Sequence, residues 1–235
     1  MNKELFIKEI QKLNINISEE ILKKLKTYYE LLVSWNKKMN LTAILEHDAV
    51  YLKHFYDSAT TVKVIDLNKV NNILDVGSGA GFPGIVLKIL YPHLKLDIID
   101  SNNKKIIFLN EVVNKLELID VNLIHNRAEV FADLNREKYD VVVSRAVANL
   151  NTLVEICLPL VKISGYFIAL KADANQEILA VANALKILGG EIIKKEEFLL
   201  PIEESKRTII KIIKTSPTSL KYPRQYDKII KKPLK

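Results

Sequence analysis

The apolar positions of this chain change their period at about residue 70. Before it they recur every three or four residues, so that Asn2–Leu13, Glu19–Met39 and roughly Asp48–Ile65 each read as a helix with one apolar stripe. Ser18 stands where the second of these wants an N-cap, and Leu31, Leu32 and Trp35 read as core. After it, short apolar runs at about 72–76, 95–100, 121–125, 139–144 and 166–171 read as strands. Helix-period stretches near 83–91, 103–116, 128–134, 150–161 and 175–188 alternate with them. That alternation predicts an α/β doubly wound, parallel sheet covered on both faces. Two further strand-like runs, Gly190–Leu200 and Thr208–Ile213, are joined only by residues 201–207, too short a link for a helical crossover, so they pair antiparallel. The expected organisation is a helical segment (1–70) packed on the core, a mostly parallel domain with an antiparallel hairpin (71–214), and a basic tail (215–235).

The stretch Asn72-Ile-Leu-Asp-Val-Gly-Ser-Gly-Ala-Gly-Phe-Pro-Gly84 joins the first strand to its helix. Glycines let the backbone turn tightly and come close to a ligand, and the N–H groups of the following helix then face whatever sits above the strand ends. This is a nucleotide-cofactor loop, and two cofactors fit it. Gly79-Ala-Gly-Phe-Pro-Gly84 matches the dinucleotide pattern G-x-G-x-x-G, with Asp100 where a ribose-binding acid belongs. Asp75, however, precedes Gly77, Gly79 and Gly81 in the spelling Asp-x-Gly-x-Gly-x-Gly, which resembles the loop of S-adenosyl-L-methionine (SAM) methyltransferases. A carboxylate there attracts the ammonium group of that cofactor, whereas a pyrophosphate gains nothing from it. A parallel sheet ending in an antiparallel hairpin also resembles the class I SAM methyltransferase (Rossmann-like) fold more than a dinucleotide domain.

Composition narrows the class. Hydrophobic residues make up 49% of the chain, which fits a globular protein, and no apolar run reaches the length of a membrane span. The opening Met-Asn-Lys-Glu-Leu-Phe-Ile-Lys is not a secretory signal, and a lone cysteine, Cys157, rules out an intrachain disulfide and points to a reducing compartment. Cys157 falls on an apolar helix face and reads as core. The net charge of +7 is unevenly placed: residues 206–235 carry a net +9, the other 205 a net −2. A basic segment of this kind suits nucleic acid, with a merely solvated Lys-rich tail as the alternative. Thirty lysines stand against five arginines, so an arginine more often marks a need for its planar fork. Arg127, Arg145, Arg207 and Arg224 lie at strand ends or loops, while Arg136 reads as ordinary surface. His54 and Asp57, three apart, read as a local pair on a helix face, and no metal cluster accompanies them.

Several segments, in order, resemble one family, the bacterial 16S ribosomal RNA guanine-N7 methyltransferases or glucose-inhibited division protein B family. They are Trp35-Asn36 with Asn40-Leu41-Thr42, His54-Phe55-Tyr56-Asp57-Ser58, Asp75 to Gly84, Lys104-Lys105 with Phe108-Leu109, and Arg127-Ala128-Glu129. Ser144-Arg145-Ala146-Val147-Ala148, Leu158-Pro159-Leu160, Lys171, Tyr222-Pro223-Arg224 and Pro233-Leu234 complete the set. The chain departs from the family pattern at Ala172, where a glycine is usual, and at Gln225-Tyr226-Asp227. The resemblance implies methyl transfer from SAM to N7 of a guanine in the 530 loop of 16S rRNA. It places the cofactor on Gly77, Phe82, the segment Asp100-Ser101-Asn102, Ala128-Glu129 and Arg145, to which the loop reading adds Asp75, Gly79 and Gly81. Asp100 suits the ribose hydroxyls and Ala128-Glu129 the adenine, although Asp100 can equally cap a helix and Glu129 compensate a helix dipole.

Guanine N7 presents a free lone pair, so no catalytic general base is expected, and alignment of N7, methyl and sulfur supplies the rate. Arg145 is expected to clamp cofactor or phosphate. Asn40, His54, Lys171, Arg207 and Arg224 are the candidates for RNA contact, with phosphate contacts from the basic C-terminus. The expected setting is the cytoplasm, with the small ribosomal subunit as partner, no membrane contact and a monomeric chain. A SAM methyltransferase acting on a protein or small molecule, an NAD-dependent enzyme and a non-catalytic RNA-binding protein are the other readings.

Overall fold

Side chains of a strand point alternately to its two faces. Ile73, Val141, Val143, Ile168 and Leu170 therefore join one hydrophobic cluster, while Leu74, Val142, Phe167 and Ala169 join a second on the other face. Burial on both faces explains why these strands are near-continuous apolar runs. The computed structural model describes residues 1–145 and 148–234. Ala146 and Val147 of the Ser-Arg-Ala-Val-Ala segment, and Lys235 in the tail, lie outside the described residues.

The helical part comes first, as α1 (Lys3–Lys12) and α2 (Glu19–Asn36). Ser18 caps α2 by accepting from the Ile21 N–H, as its position predicts. The stripe of Phe6, Ile10, Leu22, Leu25, Tyr28 and Leu32 packs into the first cluster with the sheet. Helix α2 ends three residues earlier than its period suggests, because the Asn36 side chain accepts from the Leu41 and Thr42 N–H groups and folds the chain back. The next expected helix is broken into α3 (His47–Val50), a wider π turn (Tyr51–Tyr56) and α4 (Asp57–Ala59), followed by a 3₁₀ turn (Thr60–Lys63). The π turn buries Tyr51, Leu52, His54, Phe55 and Tyr56, more directions than one stripe of an α-helix can bury.

The sheet elements then follow: β1 (Asn72–Val76), α5 (Gly84–Leu90), β2 (Lys95–Asp100), α6 (Asn103–Lys115), β3 (Val121–His125) and α7 (Ala128–Leu134). After them come β4 (Tyr139–Arg145), α8 (Leu150–Cys157), β5 (Val161–Lys171), α9 (Asn175–Ala180), α10 (Ala182–Leu188), β6 (Gly190–Leu199), β7 (Lys206–Lys214) and α11 (Tyr226–Lys231). The sheet order is β3-β2-β1-β4-β5-β7-β6, with β7 antiparallel to β5 and to β6 and every other pair parallel. The strands fall where the pattern puts them, except that β5 begins at Val161, after a 3₁₀ turn around Pro159 ends the preceding helix early. Cys157 is fully buried in the second cluster. Among the described residues no helix is long and apolar enough to cross a membrane.

The tail is not a loose basic arm. Arg136, which reads as plain surface, donates to the Tyr222 carbonyl at 2.7 Å and the Thr218 carbonyl at 2.8 Å. Buried Lys214 donates to the Leu158 and Leu188 carbonyls and to the Thr218 hydroxyl, and burial pushes its ammonium down to about 8. Arg224 closes on the fully buried Glu155 through Nε at 2.8 Å and Nη2 at 2.7 Å. Removing one member of such a pair strands the other. We expect Glu155→Ala to lower unfolding free energy by about 3 kcal/mol in urea titrations, and Glu155→Leu with Arg224→Leu to recover much of it. An unchanged midpoint for Glu155→Ala would show that this pair does not anchor the tail.

Candidate cofactor cleft and active site

The glycine loop can turn because Gly77, Gly79 and Gly81 sit at φ +69°, +63° and +100°, a region side chains avoid. Two carboxylates hold it. Asp75 Oδ2 accepts the Gly84 N–H at 2.7 Å, and Asp100 Oδ2 accepts the Gly79 N–H at 3.0 Å. A Cβ on Gly84 would lie 2.7 Å from Asp75 Oδ2, so the contact requires glycine. Asp75 is fully buried behind the loop and does not line the cleft, so its expected attraction for a cofactor ammonium gives way to a bracing role. Burial pushes its carboxyl up to about 6, opposed by the Gly84 N–H and Arg145. The Gly84 N–H, expected to face the ligand, is spent on the same carboxylate.

Above the carboxyl ends of β1, β2 and β4 lies a cleft of about 770 Å³, within the range of small-molecule sites. It brings together Gly77, Gly79, Phe82, Asp100, Ser101, Ala128, Glu129 and Arg145 of the expected cofactor residues. It does not include Gly81, whose Cβ position is filled by the Tyr28 hydroxyl, or Asn102, which caps α6 by accepting from the Lys104 N–H. Gly79 by contrast faces open space, where an added Cβ would meet only the Lys105 ammonium at 3.9 Å. Asp100 also accepts the Asn102 N–H at 2.9 Å, so it serves the helix start as well as the cleft. Glu129 lies in the first turn of α7 and accepts from Arg127 Nε at 2.6 Å. Tyr226 of α11 lines the cleft and lies under the Arg127 guanidinium, 4.6 Å away. Sequence reasoning misses Tyr226 because its only local signal is an aromatic at the start of a short tail helix. The floor residues Leu153 and Ile156 are missed because they look like any core positions of α8.

The remaining wall is a charge network on the π turn. His54 and Asp57 do not pair with each other; Arg145 bridges them. Arg145 Nη1 donates to Asp57 Oδ2 at 2.9 Å and to the Lys53 carbonyl at 2.8 Å, and Arg207 Nε donates to Asp57 Oδ1 at 3.1 Å. His54 Nδ1 lies 3.1 Å from Arg145 Nη2 and 3.2 Å from the Lys53 carbonyl, and Nε2 lies 3.1 Å from the Thr42 hydroxyl. The His54 ring stacks on Phe82 with centroids 4.4 Å apart. From the other side the fully buried Tyr28 donates its hydroxyl to the Ala80 carbonyl of the glycine loop. Among the RNA candidates, His54, Lys171 and Arg207 line the cleft. Lys171 is held by the Ala148 carbonyl at 2.7 Å and Glu177 at 2.9 Å. The structure does not bring Arg224 or Asn40 into the cleft: Arg224 is committed to Glu155, and Asn40 borders a neighbouring depression.

Comparison with known proteins places this geometry. Residues 21–212 match the model of a family described as rRNA small subunit methyltransferase G (GidB). The protein of that description from Bacillus pumilus is 50% identical over 228 residues, covering 96% of this chain and 95% of the relative. Its counterpart from Bacillus cereus is 52% identical with the same coverage. In fold, the chain is similar to a SAM dependent methyltransferase from Aquifex aeolicus, with TM-score 0.52 and 18% identity, covering 78% of this chain and 98% of that one.

Burial, and then the Arg145 charge, push His54 down to about 3 from 6.5. Between those values the unfolded chain takes a proton that the native ring refuses. The His54 contribution to stability is therefore whole above pH 6.5 and is lost as pH falls toward 3. We expect the ring proton shifts of His54 in NMR to stay flat from about pH 5 to 8, and a titration near 6.5 would refute the burial of the ring beside Arg145. Tyr28→Phe removes the bond to Ala80 and should cost about 1 kcal/mol of stability while weakening cofactor affinity several-fold by calorimetry. Unaltered affinity would mean the loop does not need this brace.

Proposed function

The chain belongs to the rRNA small subunit methyltransferase G family and is a SAM-dependent rRNA methyltransferase, and we propose that it methylates N7 of a guanine in the 530 loop of 16S rRNA. The observation that carries the reading is half identity along nearly the whole chain, joined to a glycine-loop cleft at the switch of strand order between β1 and β4. The site passes a test of fit for SAM. The loop leaves open space above Gly79, and Asp100 keeps spare acceptor capacity at the end of β2. When bound, the cofactor supplies an electrophilic methyl group on a sulfonium.

The residues then divide by task. Gly77 and Gly79 let the backbone approach the cofactor, Asp100 receives ribose hydroxyls, and Ala128 with Glu129 frames the adenine. Phe82, stacked under His54 and 5.1 Å from the Arg145 guanidinium carbon, walls the reacting end against water. Arg145 positions His54 and Asp57 and is thereby held at the cleft edge, where its remaining donor capacity meets cofactor or phosphate. Guanine N7 needs no deprotonation, so orientation and exclusion of water carry the rate. The small ribosomal subunit in the cytoplasm is the partner that follows, met by a single chain.

The test incubates the protein with methyl-labelled SAM and small subunits from cells lacking the modification, then maps the label by nuclease digestion. We expect 7-methylguanosine at one 530-loop position. Label elsewhere in the RNA would correct the site, and label only in protein would overturn the reading. Gly79→Val, strained at φ +63°, should abolish SAM binding by calorimetry, and retained affinity would sink the loop assignment.

A further inference from the structure

A second polar depression, of about 310 Å³, adjoins the cleft between the loop that follows α2 and the first turn of α6. Lys37 and Lys38 border it from the loop, Lys104 and Lys105 from the helix, and Asn40 and Asn102 complete its polar rim. No acidic side chain lines it. Among the described residues Lys37, Lys38 and Lys104 make no ion pair, although Lys38 also lies over the Trp35 ring, 5.6 Å away. Lys37 and Lys38 follow the C-terminus of α2, where cations are favourable in any case. Lys104 and Lys105 are different: the first turn of α6 favours anions, yet it carries these two cations and no acid of its own. Asp100, just before the helix, answers Lys105 at 3.8 Å, and the placement of Lys104 is offset when an external anion sits beside it.

Leu41 and Lys105 line both this depression and the cleft, so the two are continuous. The lysine-bearing loop is also fixed to the cofactor side. Asn36 accepts from the Leu41 and Thr42 N–H groups, Thr42 meets His54, and His54 stacks on Phe82 of the glycine loop.

We propose that this depression holds backbone phosphates of the rRNA strand next to the methylated nucleotide, an assignment that rests on the function proposed above. Lysines as point charges with asparagine donors between them suit successive phosphates and sugars, which position a nucleic acid without reading its sequence. A protein partner is less well served, since Met39 and Leu41 are the only apolar side chains present and both are already partly buried. The basic C-terminus then ceases to be the sole source of phosphate contacts, as Arg224 of the tail and Lys214 at the end of β7 are consumed internally.

The experiment uses the full chain with Lys37→Ala, Lys38→Ala and Lys104→Ala combined, leaving Lys105 in place because it lines the cofactor cleft. SAM affinity by calorimetry and the thermal midpoint should match the parent protein. On small subunits, kcat/KM should fall about tenfold near physiological salt, mainly through KM, and its logarithmic salt slope should become shallower by about 2. An unchanged KM and salt slope would overturn the proposal. Weaker activity on whole subunits with undiminished binding to protein-free 16S rRNA would also overturn it, in favour of an acidic protein partner. Failure of the parent protein to methylate any RNA would instead strike the function itself.

Discussion

The structure turns on a buried carboxylate. Asp75 sits at the end of β1, wholly removed from solvent, with one oxygen on the Gly84 N–H and the other without a partner. A charge in that position is expensive, which is why its carboxyl is pushed up toward neutrality. What it supplies is a fixed point for the backbone of a glycine-rich loop. The constraint propagates in both directions along the chain. Residue 84 must be glycine to meet the carboxylate, and residues 77, 79 and 81 must be glycine to turn around it. The loop so placed leaves the Gly79 side open and the Gly81 side filled by Tyr28.

That filled side explains why the helical segment is part of the site. Tyr28 reaches from α2 to the Ala80 carbonyl and packs against Phe55 and Phe82, so the loop is pinned from above by a helix as well as from below by a strand. The π turn then brings His54 onto Phe82 and Asp57 between two arginines from β4 and β7. A buried carboxylate shared by two guanidiniums is stable only because both arrive with good geometry. The sheet thereby fixes the helical wall, and the wall fixes the loop. Cofactor side and helical side form one mechanical unit.

This coupling also marks what could be read in the sequence. Strands β1 to β4 and their helices were legible because each is a short, locally consistent run of apolar residues. The antiparallel hairpin followed from the short link after residue 200. Segments whose conformation depends on distant partners were not legible. The π turn forms because five side chains of 51–56 find burial on several sides, which no single period reports. Arg136 looked like surface because the carbonyls it binds lie more than eighty residues away, in a tail with no pattern of its own. Within the site, glycines and Asp100 were legible by spacing, whereas the burial of Asp75, the bridging by Arg145 and the approach of Tyr226 are products of the tertiary fold.

The same commitments bear on the chemistry. Asp57 is taken by Arg145 and Arg207, Glu129 by Arg127, Lys171 by Glu177, and both nitrogens of His54 by Thr42 and Arg145. A group so bound must break a hydrogen bond before it can move a proton, and His54 is in addition far below the range where it would exchange one at neutral pH. An acceptor that has to lose a proton, such as an amine or a hydroxyl, would find no free base among these side chains. An acceptor with an available lone pair needs only to be held in line. The wall is rigid, aromatic on one side and cationic at its edge, which suits orientation and exclusion of water rather than proton transfer. A wall that commits Asp57, Glu129, Lys171 and His54 to positioning suits the proposed N7 acceptor, a nucleophile that needs no base.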